Sequence, residues 1–491
     1  MPKKIIIIGS GNAALCAGIA ALEKGAEVHI YEKADRDLAG GNTKYTAGAM
    51  RFAYEKSKHL NQFLTNPNDE KLKKTDFGSY TQDKFLTDLL SFNDGRPISE
   101  EQNILVSKSF ETIKWLTSHN IKFEPIYTRQ SFLKNGKYVF WGGLTLASEN
   151  EGVGLFEQEL LAFLSLGGKI NYKSPASDLI IKNKVVKGIV CNQKNIDADC
   201  VILASGGFEA NDKLREKYIG KDWSAAKVRG TPNNTGDGLI MALNAGALKH
   251  GLYQGCHATP MDLHMKNYGN LGLNPSERKH YRKICYFLGI MINAHGKRFL
   301  DEGINFRNYT YAQYGRKVLE QPEHFAWQIF DNKVMDLLYE EYRFHDASFV
   351  EAETLDQMIS KLDGINKKEA KKTIIDFNNS VKENIKFDPT ILDGKTTFGL
   401  EINKTNWAQK IDKGPFRAYP VTGGITFTYG GLKVDTNGSV LGSGNKPISG
   451  LFACGELVGG VFYNGYPGGS GLTSGAVFGR IAGYGAAKTK L

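Results

Sequence analysis

Ile5-Ile6-Ile7-Ile8-Gly9-Ser10-Gly11-Asn12-Ala13-Ala14, then a helical run, then Val28-His29-Ile30-Tyr31-Glu32, is the stretch whose reading decides the fold. Four consecutive isoleucines make a buried strand, too short and too β-branched for a helix. Gly9 allows a tight turn and Gly11 lets the backbone approach a pyrophosphate, while Ala14 stands where a third glycine would let helix and strand pack closely. Leu15, Ile19 and Leu22, at i, i+4 and i+7, predict a helix with one apolar face. Glu32 ends the second strand near the spacing at which a carboxylate meets a ribose hydroxyl. An ordinary βαβ turn that merely contains glycines does not account for an acid at that place. The unit points to a dinucleotide.

At 491 residues the chain has room for two or three domains, or for one large domain with an insertion. A content of 41% hydrophobic and 23% charged residues is globular, with no run long enough to span a bilayer. Met1-Pro2-Lys3-Lys4 leads straight into the first strand without a signal peptide's apolar region, so the expected location is cytoplasmic. Cys16, Cys191, Cys200, Cys256, Cys285 and Cys454 form no CxxC pair, which argues against an iron–sulphur cluster, a covalent haem, a structural zinc or a dithiol centre. No metal is expected. The formal charge of +10 comes from scattered lysines, as in Lys71-Leu72-Lys73-Lys74, that read mostly as solvated faces. Its sign fits an anionic substrate, or an anionic membrane surface near a redox partner, better than nucleic acid.

Gly40 to Met50 is a small-residue loop after the second strand, where a bound dinucleotide would continue; a plain glycine loop is the alternative. Residues from Tyr54 to Pro97 are polar and aperiodic and predict surface structure. Ser99-Glu100-Glu101-Gln102 is a capping box opening a helix with Val106, Phe110 and Ile113 on one face. Leu155 to Leu166 reads as a helix closed by Gly167-Gly168. Short strands follow at Leu179-Ile180-Ile181, Val185 to Val190 and Cys200 to Ala204, the last entering a second strand-to-glycine turn at Ser205-Gly206-Gly207-Phe208. From Gly251 to Pro415 the parallel α/β rhythm is lost. That segment holds a strand at Gly289 to Asn293 and two amphipathic stripes, Leu355/Met358/Ile359/Leu362 and Ala370/Ile374/Phe377/Val381, read as core packing. Glycine-rich sequence then returns with an Asn437-Gly438 hairpin turn, a strand ending at Gly455-Glu456, and Tyr466-Pro467-Gly468-Gly469-Ser470-Gly471-Leu472 opening a last helix. Its free N–H groups suit an electron-rich ring edge. The organisation expected is residues 1–250 and 416–491 as one domain, interrupted by 251–415.

Gly9 to Ala14, Gly40 to Met50, Val201 to Phe208, Thr235 to Gly238, Ala453 to Glu456 and Gly468 to Leu472 occur in the order seen in FAD-dependent fumarate reductase and succinate dehydrogenase flavoproteins. The chain resembles that superfamily over nearly its whole length, least in residues 52–100. Gly11 to Ala17, Phe306 to Ala312 and Gly424 to Gly431 are most similar to the tricarballylate dehydrogenase family, which oxidises tricarballylate to cis-aconitate and passes electrons to a separate membrane-bound redox protein. The resemblance implies an α/β fold: a Rossmann-like FAD-binding domain of the glutathione-reductase type, interrupted by an α+β capping domain, with substrate held between cap and isoalloxazine. Implied FAD contacts are Gly9, Gly11, Asn12, Ala13, Ala14, Glu32, Lys33, Gly41, Asn42, Thr43, Gly48, Gly207, Asp237, Glu456, Ser470, Gly471 and Leu472. Covalently flavinylated relatives carry a histidine in the loop matching residues 41–48; none stands there, so non-covalent FAD is expected.

Removing two hydrogens beside a carboxylate needs a hydride acceptor, a proton-exchanging group and cations for the carboxylates. By motif the family's proton-transfer arginine falls on Arg307; the alternative is a salt bridge to Asp301 or Glu302. His257 matches a carboxylate-binding histidine, against a plain structural role. Three places depart from the fumarate reductase pattern: a Glu and an Arg of its proton relay fall on Arg282 and Cys285, a second substrate histidine on Phe427, and a carboxylate-clamping arginine on Tyr466. Fumarate itself is therefore not the expected substrate. Arg278, His280, Tyr281 and Arg282 either restore positive charge for a tricarboxylate or form a basic surface loop. Tyr466-Pro467-Gly468 also resembles ketosteroid dehydrogenases, which keeps a steroid-like substrate as runner-up, beside a reductase of another enoate. The non-enzymatic alternative is a basic protein binding flavin or nucleic acid. Electrons are expected to leave through a separate partner, a membrane-bound redox protein or a quinone pathway.

Overall fold

The computed structural model describes residues 2–265 and 281–490. The chain forms two compact units, one of Met1–Lys221, Gly230–Cys256 and Phe427–Leu491, the other of Asp222–Arg229 and His257–Thr426. The second unit begins six residues later than the expected insertion, extends past Pro415 along one long strand, and takes in the separate Asp222–Arg229 segment.

The first unit is built on a six-stranded sheet in the order Ser439–Gly442, Lys446–Ala453, Cys200–Leu203, Lys4–Ile8, Glu27–Tyr31, Lys169–Asn171. All neighbours are parallel except the first pair. The isoleucine run lies in the interior, Ile5 beside Cys200 on one flank and Val28 on the other. Both neighbours and both faces are protein, which explains why the strand shows no alternation. The Asn12–Leu22 helix is buried at Asn12 and from Ala14 to Ala21, not along one face only. It is enclosed because the Ser470–Lys488 helix crosses it at backbone contact: a Cβ on Gly479 or Gly483 would collide with the carbonyls of Ala13 or Ala17. Small residues on both helices make that approach possible. Residues 176–197 form a separate antiparallel three-stranded sheet.

The capping box at Ser99 is present and starts the Glu100–Ser118 helix. The 54–97 stretch is not the surface structure its polarity predicts. Tyr54, Leu60, Phe63, Phe77, Tyr80, Phe85 and Leu89 are buried, and Phe63 packs edge-on against Phe52 and Phe110. Leu60 and Phe63 are anchored from a short 3-10 turn and Tyr54 and Tyr80 from an isolated bridge, which leave no long period, while Phe85 and Leu89 share one face of the short Gln82–Leu90 helix.

In the second unit, Phe416–Thr428 is the long central strand, paired with Lys227–Val228, Cys256–Asp262, Phe325–Phe330 and Val350–Ala352, while Ile290–Asn293 pairs with Phe325–Phe330. One face carries Ile290, Ile292, Trp327 and Ala418 against Met358, Ile359, Ile374 and Phe377 of the Leu355–Ser360 and Lys367–Ser380 helices. Both amphipathic stripes are core, as their spacing predicts. The other face carries Met291, Ala326 and Val421 against Tyr314 and Val318 of the Arg307–Leu319 helix. The alternation along each strand assigns successive residues to opposite helical layers. Among the described residues no helix is long and apolar enough to cross a membrane.

Candidate active site

In the first unit the three glycines of the opening and following loops do different work. Gly9 has φ +100° and a Cβ there would collide with the carbonyl of Ala204, so the fold itself requires glycine. Gly11 has φ −71°, open to any residue, and a Cβ would find nothing closer than Thr43 Oγ1 at 3.4 Å. Gly41 has φ +53° and its nearest neighbour would be Gly11 Cα at 3.9 Å. A Cβ on either glycine would thus meet only ordinary contacts at 3.4 Å or more, which leaves open backbone at Gly11 and Gly41, a cradle in which a ligand backbone fits.

The frame of that cradle is hydrogen-bonded from three loops. Asn12 N–H donates to Thr43 Oγ1 (2.9 Å), and the Asn12 side-chain amide donates to the Leu472 carbonyl (2.8 Å). Ser10 Oγ donates to Glu32 (2.6 Å) and accepts from the Gly40 N–H (3.0 Å), while the other Glu32 oxygen accepts from the Ala34 N–H (2.8 Å). Glu32 is therefore already oriented by the protein, its remaining lone pairs left to meet hydroxyls. Lys33 pairs with Asp237 (2.7 Å) and donates to Thr235 (2.6 Å), which ties the end of the second strand to the Thr235–Asp237 turn. Glu456, half-buried, accepts from the Thr428 N–H and hydroxyl at 2.7 and 3.0 Å through one oxygen. Gly207 is packed against that carboxyl, Gly48 against the backbone of Glu151, and Gly455 against Ala13.

Gly469, at φ +89°, precedes the Ser470–Lys488 helix and offers it no side-chain cap. Ser470 Oγ turns back to the Pro467 carbonyl (2.7 Å), and a Cβ on Gly471 would find only Phe427 and Tyr466, at 3.7 to 4.0 Å. These two rings belong to an edge-packed cluster with Tyr429 and Phe462, centroids 5.2 to 5.9 Å apart. Arg51 is fully buried and donates to the carbonyls of Gly468 (2.7 Å) and Gly142 (2.6 Å), holding this turn from below. Nothing but its lone charge in Met50-Arg51-Phe52-Ala53 could have marked it. Two glycines with open backbone, an oriented acid, and uncapped helix amides fit a dinucleotide whose flavin end meets the last helix.

The second unit gathers the other chemistry-bearing residues. His257, on the Cys256–Asp262 strand, is 1% exposed and packs edge-on against Tyr311 at 5.0 Å. Burial, then the positive charge of Arg229, pushes its imidazole well below the usual histidine value, and Arg282 adds to this against its own backbone hydrogen bond. It is a neutral donor and acceptor, not a cation. Arg229 donates to Thr426 Oγ1 (3.0 Å). Arg229 was not legible in the sequence, because it lies in the short segment that joins this unit from elsewhere in the chain.

Arg282 is bound to Glu341 at 2.6 Å, both buried, so its charge is matched by a carboxylate. Tyr281 hydrogen-bonds Asp346. Arg278 and His280 lie outside the described residues. Arg307 opens the Arg307–Leu319 helix with its guanidinium 5.0 Å over the Tyr339 ring. Glu302 is held instead by Arg298 (2.5 Å), and Asp301 by Gly303 N–H (2.9 Å) and Thr405. Burial works to lower the Arg307 pKa, but Tyr339, then Cys285, Tyr311 and Tyr286, raise it overall. Arg307 is therefore firmly protonated.

The family described as FAD binding domain matches residues 4–472 of this chain. A fumarate reductase (cytochrome) of Shewanella frigidimarina is 27% identical over 501 residues, covering 99% of this chain and 77% of that protein. The open conformation of a flavocytochrome c3 fumarate reductase shares the fold with a TM-score of 0.72 at 24% identity, covering 99% of this chain and 78% of the other. A 3-ketosteroid-Δ4-(5α)-dehydrogenase of Rhodococcus jostii, solved with 4-androstene-3,17-dione, does so with a TM-score of 0.71 at 21% identity, covering 99% and 97%.

Proposed function

This chain belongs to the family of FAD-binding domains, and on that premise we propose that it is an oxidoreductase acting on a carbon–carbon bond beside a carboxylate, with tricarballylate and cis-aconitate as its substrate pair. FAD, bound non-covalently, would supply two-electron exchange with the substrate carbon. Gly11, Asn12, Gly41, Thr43, Glu32, Glu456, Ser470 and Gly471 would hold it, through the cradle and the helix amides described above.

The observation that carries the substrate reading is Arg307: a half-buried guanidinium at the head of the Arg307–Leu319 helix, 5.0 Å over the Tyr339 ring. A guanidinium there would take a carboxylate through charge-assisted hydrogen bonds. His257, neutral and close to Arg229 and Tyr311, would orient a carboxylate by hydrogen bonding. In the reducing direction the protonated Arg307 would give a proton to the carbon next to the carboxylate and be left neutral. Tyr339, half-buried and hydrogen-bonded to Arg307, is next in line to return that proton. Electrons would pass on to a separate redox partner, a membrane-bound protein or a quinone pathway.

A second reading rests on a different observation. Phe427, Tyr429, Phe462 and Tyr466 make an apolar cluster beside Gly471, and a ring-bearing substrate such as a ketosteroid matches it better than a polyacid does. Anaerobic mixing of the oxidised flavoprotein with tricarballylate, succinate and a ketosteroid separates the two. Bleaching of the flavin by tricarballylate is expected; bleaching by the steroid alone overturns the polycarboxylate reading.

A further inference from the structure

Glu209, in the turn after the Cys200–Leu203 strand, is fully buried in the first unit and was not among the residues its sequence singled out. One carboxyl oxygen, Oε1, accepts from two side-chain amides, Asn42 at 2.7 Å and Asn234 at 2.6 Å. Asn42 in turn accepts the Thr231 N–H (3.0 Å), so a single oxygen ties together the 41–45 loop, the 205–209 turn and the 231–235 loop. The other oxygen, Oε2, is inaccessible and has no donor. The Glu456 carboxyl lies against Gly207, two residues before Glu209, and its charge acts on the Glu209 side chain. Glu456 takes Thr428 and Gly207 backbone N–H groups and the Thr428 hydroxyl. Arg215, the nearby cation on the Asp212–Tyr218 helix, donates to the Glu209 backbone carbonyl (2.6 Å) and pairs with Asp212.

Two facing carboxyls surrounded by amides, a hydroxyl and backbone N–H groups make a hydrogen bond only if one of them carries a proton. We propose that Glu209 is a protonated positioning residue of the cofactor site: it holds Asn42 and Asn234 through Oε1 and donates from Oε2 to Glu456, which then meets the cofactor as a single oriented acceptor. Burial, and after it the charge of Glu456, raises the Glu209 carboxyl well above the usual range, which agrees with this arrangement. Ionising both carboxyls would set them repelling one another and release the anchor shared by the Asn42 and Asn234 loops.

The inference rests on the FAD reading, and one experiment separates the two. FAD affinity of the apoprotein is measured by flavin fluorescence from pH 6 to 9 for the wild type and for Glu209→Gln, whose amide keeps one acceptor oxygen and replaces the O–H donor. In the wild type the Kd is expected to rise with alkaline pH, approaching about tenfold per unit where one proton must be held for binding. Glu209→Gln is expected to bind within about threefold of wild type at pH 6 and to stay flat. The infrared difference spectrum of the apoproteins should lose one protonated-carboxyl band on the same substitution. A wild type that binds FAD with a flat profile, or parallel profiles for both proteins with the infrared band retained, overturns the proposal alone. A wild type that fails to bind FAD at every pH overturns the cofactor reading and this inference with it.

Discussion

Gly11→Ala separates a glycine kept for a ligand from a glycine kept for the fold. Gly11 has φ −71° and ψ 177°, so alanine enters without backbone strain, and its Cβ meets Thr43 Oγ1 and the Gly40 carbonyl at 3.4 and 3.5 Å, both tolerable contacts. Removing a glycine from the unfolded chain stabilises by about 0.4–1 kcal/mol, and alanine is a poorer helix N-cap than glycine by a similar amount. The apoprotein should therefore keep its stability to within about 1 kcal/mol. The methyl group covers backbone at Gly11 that the structure leaves open, where the cofactor's diphosphate would have to lie close. Loss of one charge-assisted hydrogen bond there costs about 1.5–3 kcal/mol, or about a 10- to 150-fold weaker FAD affinity. Urea unfolding of the apoprotein and flavin fluorescence titration read the two quantities independently. Gly9→Ala is the opposite case, because φ +100° and collision with Ala204 make it a folding mutation. An unchanged FAD Kd in Gly11→Ala would refute the cradle, and an apoprotein weakened by more than about 2 kcal/mol would refute the steric account of it.

Two further outcomes follow from the second unit. Lys404 is fully buried, donates to the carbonyls of Phe287 (2.8 Å) and Gly289 (2.6 Å), and is pushed by burial down to about 8, against the pull of Glu302. A depressed lysine pKa means the unfolded chain holds more protons between pH 8 and 10.5, so this residue's contribution raises stability with pH across that window, by about 3 kcal/mol in all, and is constant below it. Lys404→Met should lose that slope relative to wild type in denaturant unfolding at pH 7.5 and 9.5; identical slopes would show the ammonium is not buried. Arg307→Lys should lower turnover about 10²- to 10⁴-fold while FAD stays bound, since the cradle belongs to the other unit. Turnover within threefold of wild type would remove Arg307 from the reaction.

The parts legible in the sequence share one property: the evidence for them lies within a few residues. Isoleucines 5–8 can only be a strand, Gly9 must turn, Ser99 and Gln102 cap each other, and the stripes at 355–362 and 370–381 repeat at helical spacing. Backbone sterics and side-chain period act locally, so they can be read locally. The 54–97 segment departs from its polar reading because most of its buried aromatics sit on a 3-10 turn, a bridge or loops, and its one helix, Gln82–Leu90, is only nine residues long.

What only the tertiary structure decided is partnership. Lys33 meets Asp237, Asn42 and Asn234 meet Glu209, Arg51 meets Gly468, Arg229 meets Thr426 and Arg282 meets Glu341, across 25 to 417 positions of chain. No propensity or period encodes those distances. They exist because the sheets bring remote strand ends together and because buried polar groups must find partners wherever the chain supplies them. The opening βαβ unit by itself determined that a dinucleotide binds. Which oxygens are oriented for it, and which cations are already matched by carboxylates, are consequences of the fold as a whole.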